Sequence, residues 1–169
     1  LRRMEEALVP LVQARDLEIE ARGPRHPYVA TCSYEIGFCY DSLRRYDEAV
    51  EHFTVAHELH REHFGEEDAT TGVMAMRLGD ALNGAGRYDD ALAAFSSAAR
   101  AALSANDAME VKVLTARAHL GLDDPAAARD VLAPAFDEQR ADLRIAAGLF
   151  RFAGRVLGDV YTALGDEQA

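Results

Sequence analysis

Apolar positions along this chain recur at the spacing of helix faces, and one arrangement of them returns every 42 residues. Three stretches align without gaps: Arg3 to Glu18 (RMEEALVPLVQARDLE), Arg45 to His60 (RYDEAVEHFTVAHELH) and Arg87 to Ala102 (RYDDALAAFSSAARAA). Each carries an alanine, a large apolar residue four positions on, and a second alanine three further: Ala7–Leu11–Ala14, Ala49–Phe53–Ala56 and Ala91–Phe95–Ala98. That spacing is one face of a helix. The small residues let a neighbouring helix come close, and the large one fills the space between.

A second mark lies upstream of these helices. Ile36-Gly37 with Tyr40 returns as Leu78-Gly79 with Leu82, weakly around Ala116, and again as Leu157-Gly158 with Tyr161. Glycine in a helix interior costs roughly 1 kcal/mol relative to alanine. Its return at one register therefore predicts close helix crossings at Gly37, Gly79 and Gly158. Turns are marked by Leu43-Arg44-Arg45 and by Gly84 to Arg87. A later unit is shorter, with Ala128, Leu132 and Ala135 in the repeated places and Asp123-Asp124-Pro125 opening its helix. Pro10 falls inside the first helix and predicts a kink there. The pattern predicts eight antiparallel helices over 4–21, 27–42, 46–63, 69–84, 88–104, 108–121, 124–138 and 141–164, in one array without a linker.

The large residue, glycine and aromatic of one helix, followed by Ala, Phe and Ala in the next, resemble the tetratricopeptide repeat. The long unit and the stretch GPRHPYVAT (Gly23 to Thr31) are similar to the repeats of kinesin light chains and their bacterial relatives. The resemblance implies an all-α, right-handed α–α superhelix filling 1–169: a partial repeat over 1–22, repeats over 27–64, 69–104 and 108–138, and a partial repeat or cap over 141–169. It also implies that the first helix of each hairpin lines a concave groove. The residues it places there are Tyr34, Phe38, Asp41, Met76, Arg77, Asp80, Asn83, Val113, Arg117, Phe152 and Arg155. With its aromatic anchors and three arginines, such a groove suits a protein or peptide segment carrying apolar and acidic side chains. The function implied is a protein-binding adaptor or scaffold. The alternative is the sensor region of a larger bacterial transcription regulator or protein kinase.

Composition narrows the partner classes. Hydrophobic residues make up 49% of the chain and charged residues 28%, enough to build a core, and the net charge is −11. Nucleic acid and anionic membrane surfaces are poor ligands for such a chain, and no apolar run approaches the roughly 18 residues of a membrane span. Cys32 and Cys39 lie on one helix, about 10 Å apart by helical rise, too far for a disulfide. Reduced thiols point to a cytoplasmic setting.

The remaining chemistry is sparse. No nucleophile motif, phosphate-binding loop or cofactor fingerprint is present, so neither catalysis nor a cofactor is expected. His57, His60 and His63 recur every three residues but span about 600° of helical turn, which prevents convergence on one metal ion; they read as a solvated outer face. The acidic stretch from Asp47 to Asp68 reads as solubilising surface, with Arg61 as its single arginine. The last helix carries apolar residues on more than one face, which predicts a continuation of the chain or a homodimer through that end.

Overall fold

The computed structural model describes residues 2–141 and 147–165, with side chains described for all of these except 139–141. Eight helices occupy them: α1 (Arg2–Arg22), α2 (Pro27–Ser42), α3 (Tyr46–Phe64), α4 (Ala69–Gly84), α5 (Tyr88–Ala98), α6 (Ala105–Gly121), α7 (Pro125–Ala141) and α8 (Ala147–Leu164). Each packs on the next in sequence, and among the described residues there is no strand. The chain forms three full hairpins, α2/α3, α4/α5 and α6/α7, flanked by α1 and α8. The expected last helix began at 141; residues 142–146 and 166–169 lie outside the described residues.

Local chemistry explains the boundaries. Pro27 sits in the first turn of α2, where a missing N–H is harmless. Asp68 Oδ1 accepts from the N–H groups of Thr70 and Thr71 to cap α4, and Ser104 Oγ accepts from Asp107 N–H to cap α6. The turns inside the hairpins share one construction. Arg45 N–H donates to Tyr40 O, Arg87 N–H to Leu82 O and Asp124 N–H to His119 O. The residue before each donor (Arg44, Gly86 and Asp123) has positive φ, the left-handed closure of a helix end.

One boundary departs from the sequence pattern. The alanine-rich run from Ala98 to Ala102 continues the helical periodicity, yet α5 stops at Ala98. Ala102 N–H donates to Glu67 O in the α3–α4 loop at 3.0 Å. Ala101 and Leu103 pack over Gly72, where a Cβ would lie 2.4 Å from the Ala101 methyl. Tertiary contact outweighs local helix propensity here. α1 runs unbroken across Pro10, and α7 likewise contains Pro134.

The core follows the repeated pattern. Ala49, Phe53, Ala56, Ala91, Phe95, Ala98, Ala128, Leu132 and Ala135 are all buried. A Cβ on Gly37 would lie 2.8 Å from the Phe53 ring, and one on Gly79 2.4 Å from the Phe95 ring. Those two glycines are crossings, as expected. Gly158 is not: it is exposed, and a Cβ there would meet nothing within 4 Å. The correction has a simple cause, since no second helix follows α8 among the described residues. A further crossing escaped the sequence reading. Tyr46 lies over Gly84 and Tyr88 over Gly121, each tyrosine tying its hairpin to the next first helix.

Candidate functional site

The helices α2, α4, α6 and α8 form one layer and α1, α3, α5 and α7 the other. α4 packs directly on α6 and α6 on α8, with no comparable packing of α3 on α5 or α5 on α7. From α4 to α8 the first-helix layer is therefore the tighter, inner one, and its free face is the natural concave surface of the stack.

That face carries a chain of polar contacts between successive first helices. Arg77 Nη1 donates to Glu110 Oε1 at 2.9 Å, joining α4 to α6. Arg117 Nη1 donates to Asp80 Oδ1 at 3.4 Å. The guanidinium carbons of Arg117 and Arg155 both lie 5.9 Å from the Phe152 ring centroid, within cation–π range. Asp41, Ser42, Arg44, Tyr46, Asp80, Gly84 and Arg117 line an open polar cleft of about 330 Å³ between α2, α4 and α6. Burial pushes the Asp41 carboxyl up, Asp80 adds to the rise, and Arg77 and Arg44 oppose it. Burial also raises Asp80, against the pull of Arg117 and Arg77.

Of the residues expected to line the groove, Tyr34, Phe38, Asp41, Arg77, Asp80, Arg117, Phe152 and Arg155 are half-buried or exposed. Phe38 is 42% exposed. Three do not belong there. Met76 and Val113 are fully buried, and Asn83 is buried with its Nδ2 donating to Leu114 O at 3.0 Å. They join neighbouring helices, because the face carried over from the family was drawn too wide by about one residue in each turn. The sequence reading missed Arg44 and Tyr46, which enter the cleft from the α2–α3 turn; their signal was the repeated Arg-Tyr-Asp turn itself.

The outer helix α3 also differs from expectation. Of its three recurring histidines only His63 is exposed. His57 is 8% exposed, with its Nε2 buried and without a hydrogen-bond partner. His60 Nδ1 shares a 2.9 Å hydrogen bond with Thr71 Oγ1, and His63 Nε2 donates to Arg25 O. The acidic stretch is less lone than its sequence suggests, because Arg25 and Arg100 arrive from other elements to pair with Glu62 and Glu66.

These histidines set a pH dependence. Burial lowers the pKa of His57, with Arg61 and Arg100 adding to the effect and Glu58 and Glu66 opposing it. Burial likewise lowers His52 and His60. The unfolded chain then binds more protons than the folded one just below the ordinary histidine value. Their contribution is complete above about pH 6.5 and is lost as pH falls, at up to about 1.4 kcal/mol per pH unit for each group. Denaturation midpoints measured from pH 7.5 to 5.5 should fall, and His57→Leu should flatten the curve without loss at pH 7.5. A flat wild-type profile would contradict the burial of these rings.

Comparison with known proteins agrees with this architecture. Residues 1–62 match the family model described as tetratricopeptide repeat. No curated protein matches the chain by sequence. Two solved structures from Podosopora anserina, described as a kinesin light chain with nearly identical TPR-like repeats and a single-residue variant of it, are similar at TM-scores of 0.82 and 0.84. Each is 18% identical, over 98% of this chain and 81% or 80% of that one. BtubC (BKLC) from P. vanneervenii is similar at a TM-score of 0.75 and 18% identity, over 82% of this chain and 57% of its own. At such identity the likeness establishes the fold. Among the described residues no helix is long and apolar enough to cross a membrane. Residues 1–62 thus match the tetratricopeptide-repeat family, and the described helices stack as in those solenoids, a fold that generally mediates protein–protein interaction.

Proposed function

We propose that the first-helix face binds a segment of a partner protein, and that the chain serves as an adaptor or scaffold. The observation that carries this reading is the set of cross-helix contacts (Arg77–Glu110, Asp80–Arg117 and Phe152 with two arginines), which hold the inner face in a fixed arrangement. A surface organised before binding loses less entropy on association. Phe38 supplies an exposed aromatic anchor at one end.

The pairing revises the partner's chemistry. Three arginines on one face suggested an acidic ligand, but Arg77 and Arg117 already hold carboxylates of this chain. Acid recognition then falls to the α8 end, where Arg155 is exposed beside Phe152. The segment expected has an apolar side chain for Phe38 and an acidic residue towards α8.

Selection of peptides from a displayed random library with the intact protein tests this. A selected peptide should bind Phe38→Ala at least about tenfold more weakly, the effect of losing one aromatic anchor. Val55→Ala, equally exposed on the outer helix α3, should leave affinity unchanged. Peptides indifferent to Phe38→Ala and Arg155→Ala would remove the groove from the account.

A further inference from the structure

The inner layer changes its spacing at one place. α4 packs directly on α6 and α6 on α8, whereas α2 has no comparable packing on α4. α2 and α4 are joined instead through α3, which packs on both, and through Tyr46, whose ring lies over Gly84. Between them lies the open cleft of about 330 Å³.

Charge in this cleft is incompletely paired. Asp80 is held by Arg117 at 3.4 Å, and Arg77 is taken by Glu110. Asp41 is left over. Among the described residues no group donates a hydrogen bond to its carboxylate, and none forms an ion pair with it. The side chain is half-buried and lines the cleft, so it has given up water without gaining a partner. A carboxylate in that state is destabilised until a cation reaches it. Burial, and after it Asp80, disfavours its charge more than either Arg77 or Arg44 favours it. Arg44 lines the same cleft but is exposed, with Nη1 3.5 Å from Tyr46 Oη. An arginine that keeps its hydration adds little to a neighbouring charge. Phe38 stands three residues before Asp41 on α2, so the two are neighbours on one helix face.

We propose that this cleft receives a basic side chain, Lys or Arg, from the segment bound at Phe38. The inference rests on the groove reading above and adds a second requirement to it. An apolar residue of the segment covers Phe38, and a neighbouring ammonium or guanidinium enters the cleft and donates to Asp41. The hydrocarbon stem of that basic residue lies along the Phe38 ring, so apolar contact and charge pairing are gained together. The net charge of −11 favours the approach of a cationic segment. With an acidic residue towards α8, the segment carries opposite charges at its two ends, which fixes its register in the groove.

Fluorescence anisotropy with a peptide selected on the intact protein tests this. The peptide should carry Lys or Arg beside its apolar anchor. Asp41→Asn, which keeps the shape of the side chain, should weaken binding about tenfold, the effect of losing one charge-assisted pair. Glu51→Gln, the same loss of charge at an exposed position of α3, should change affinity by less than about twofold. Asp41→Lys should reject the peptide and accept its variant with glutamate in place of the basic residue. Binding that depends on Phe38 but not on Asp41 overturns the proposal and leaves the groove reading standing. A selected peptide with no basic residue does the same. Binding indifferent to both Phe38→Ala and Arg155→Ala removes the two readings together.

Discussion

Leucine in place of Gly79 should destabilise the protein by about 3 kcal/mol, while leucine in place of Gly158 should leave it unchanged or stabilise it by up to about 1 kcal/mol. The two glycines hold the same register in their helices and differ only in what lies above them. At Gly79 a Cβ would fall 2.4 Å from the Phe95 ring, which is fully buried and has nowhere to move. At Gly158 nothing lies within 4 Å, and only the helix propensity of the new residue remains. Urea midpoints at low protein concentration measure both. Equal effects at the two sites would mean that the repeat does not organise the packing as described.

Charge reversal at Arg77 should cost about 1.5–3 kcal/mol, and Glu110→Arg in the same chain should recover at least half of it. Arg77→Glu removes a charge-assisted hydrogen bond, worth that range when sheltered, and sets three carboxylates of α4 and α6 against one another. Both partners keep about 30% of their side-chain surface in water, which keeps the cost below that of a buried pair. For the same reason, Arg77→Glu is unsuitable for probing binding, since lost stability would mimic lost affinity. A single-variant cost without rescue would place the effect on helix packing instead of on the pair.

Much of the fold was legible because the repeat spells out its own contacts. Alanine, phenylalanine and alanine at fixed spacing, with a glycine upstream, identify which faces meet, and α2 and α4 begin and end where the pattern puts them. What failed was what the repeat cannot encode. Gly158 carries the crossing signature with no helix to cross among the described residues. α5 ends early because of a hydrogen bond to Glu67, 35 residues away in sequence. His57 reads as a polar surface residue until Arg100 and Glu66 are brought around it.

The site was less legible for a related reason. The inner face of a helix is about three residues wide, and a shift of one residue moves a side chain from groove to core. Met76 and Val113 are buried, whereas Phe38 and Arg155 are exposed. Pairings such as Arg77 with Glu110 and Asp80 with Arg117 join residues 33 and 37 apart. They depend on the offset between successive first helices, which shortens where the third hairpin does. The sequence contained both partners of each pair but not that offset.

The groove itself is tested most directly by photocross-linking. A benzoyl-phenylalanine placed at position 38 on α2 or at position 55 on α3 replaces side chains of nearly equal exposure, 42% for Phe38 and 40% for Val55. With a selected peptide bound, irradiation should attach the peptide from position 38 and not from position 55. Attachment from position 55 with none from position 38 would place the partner on the outer helices and contradict the account.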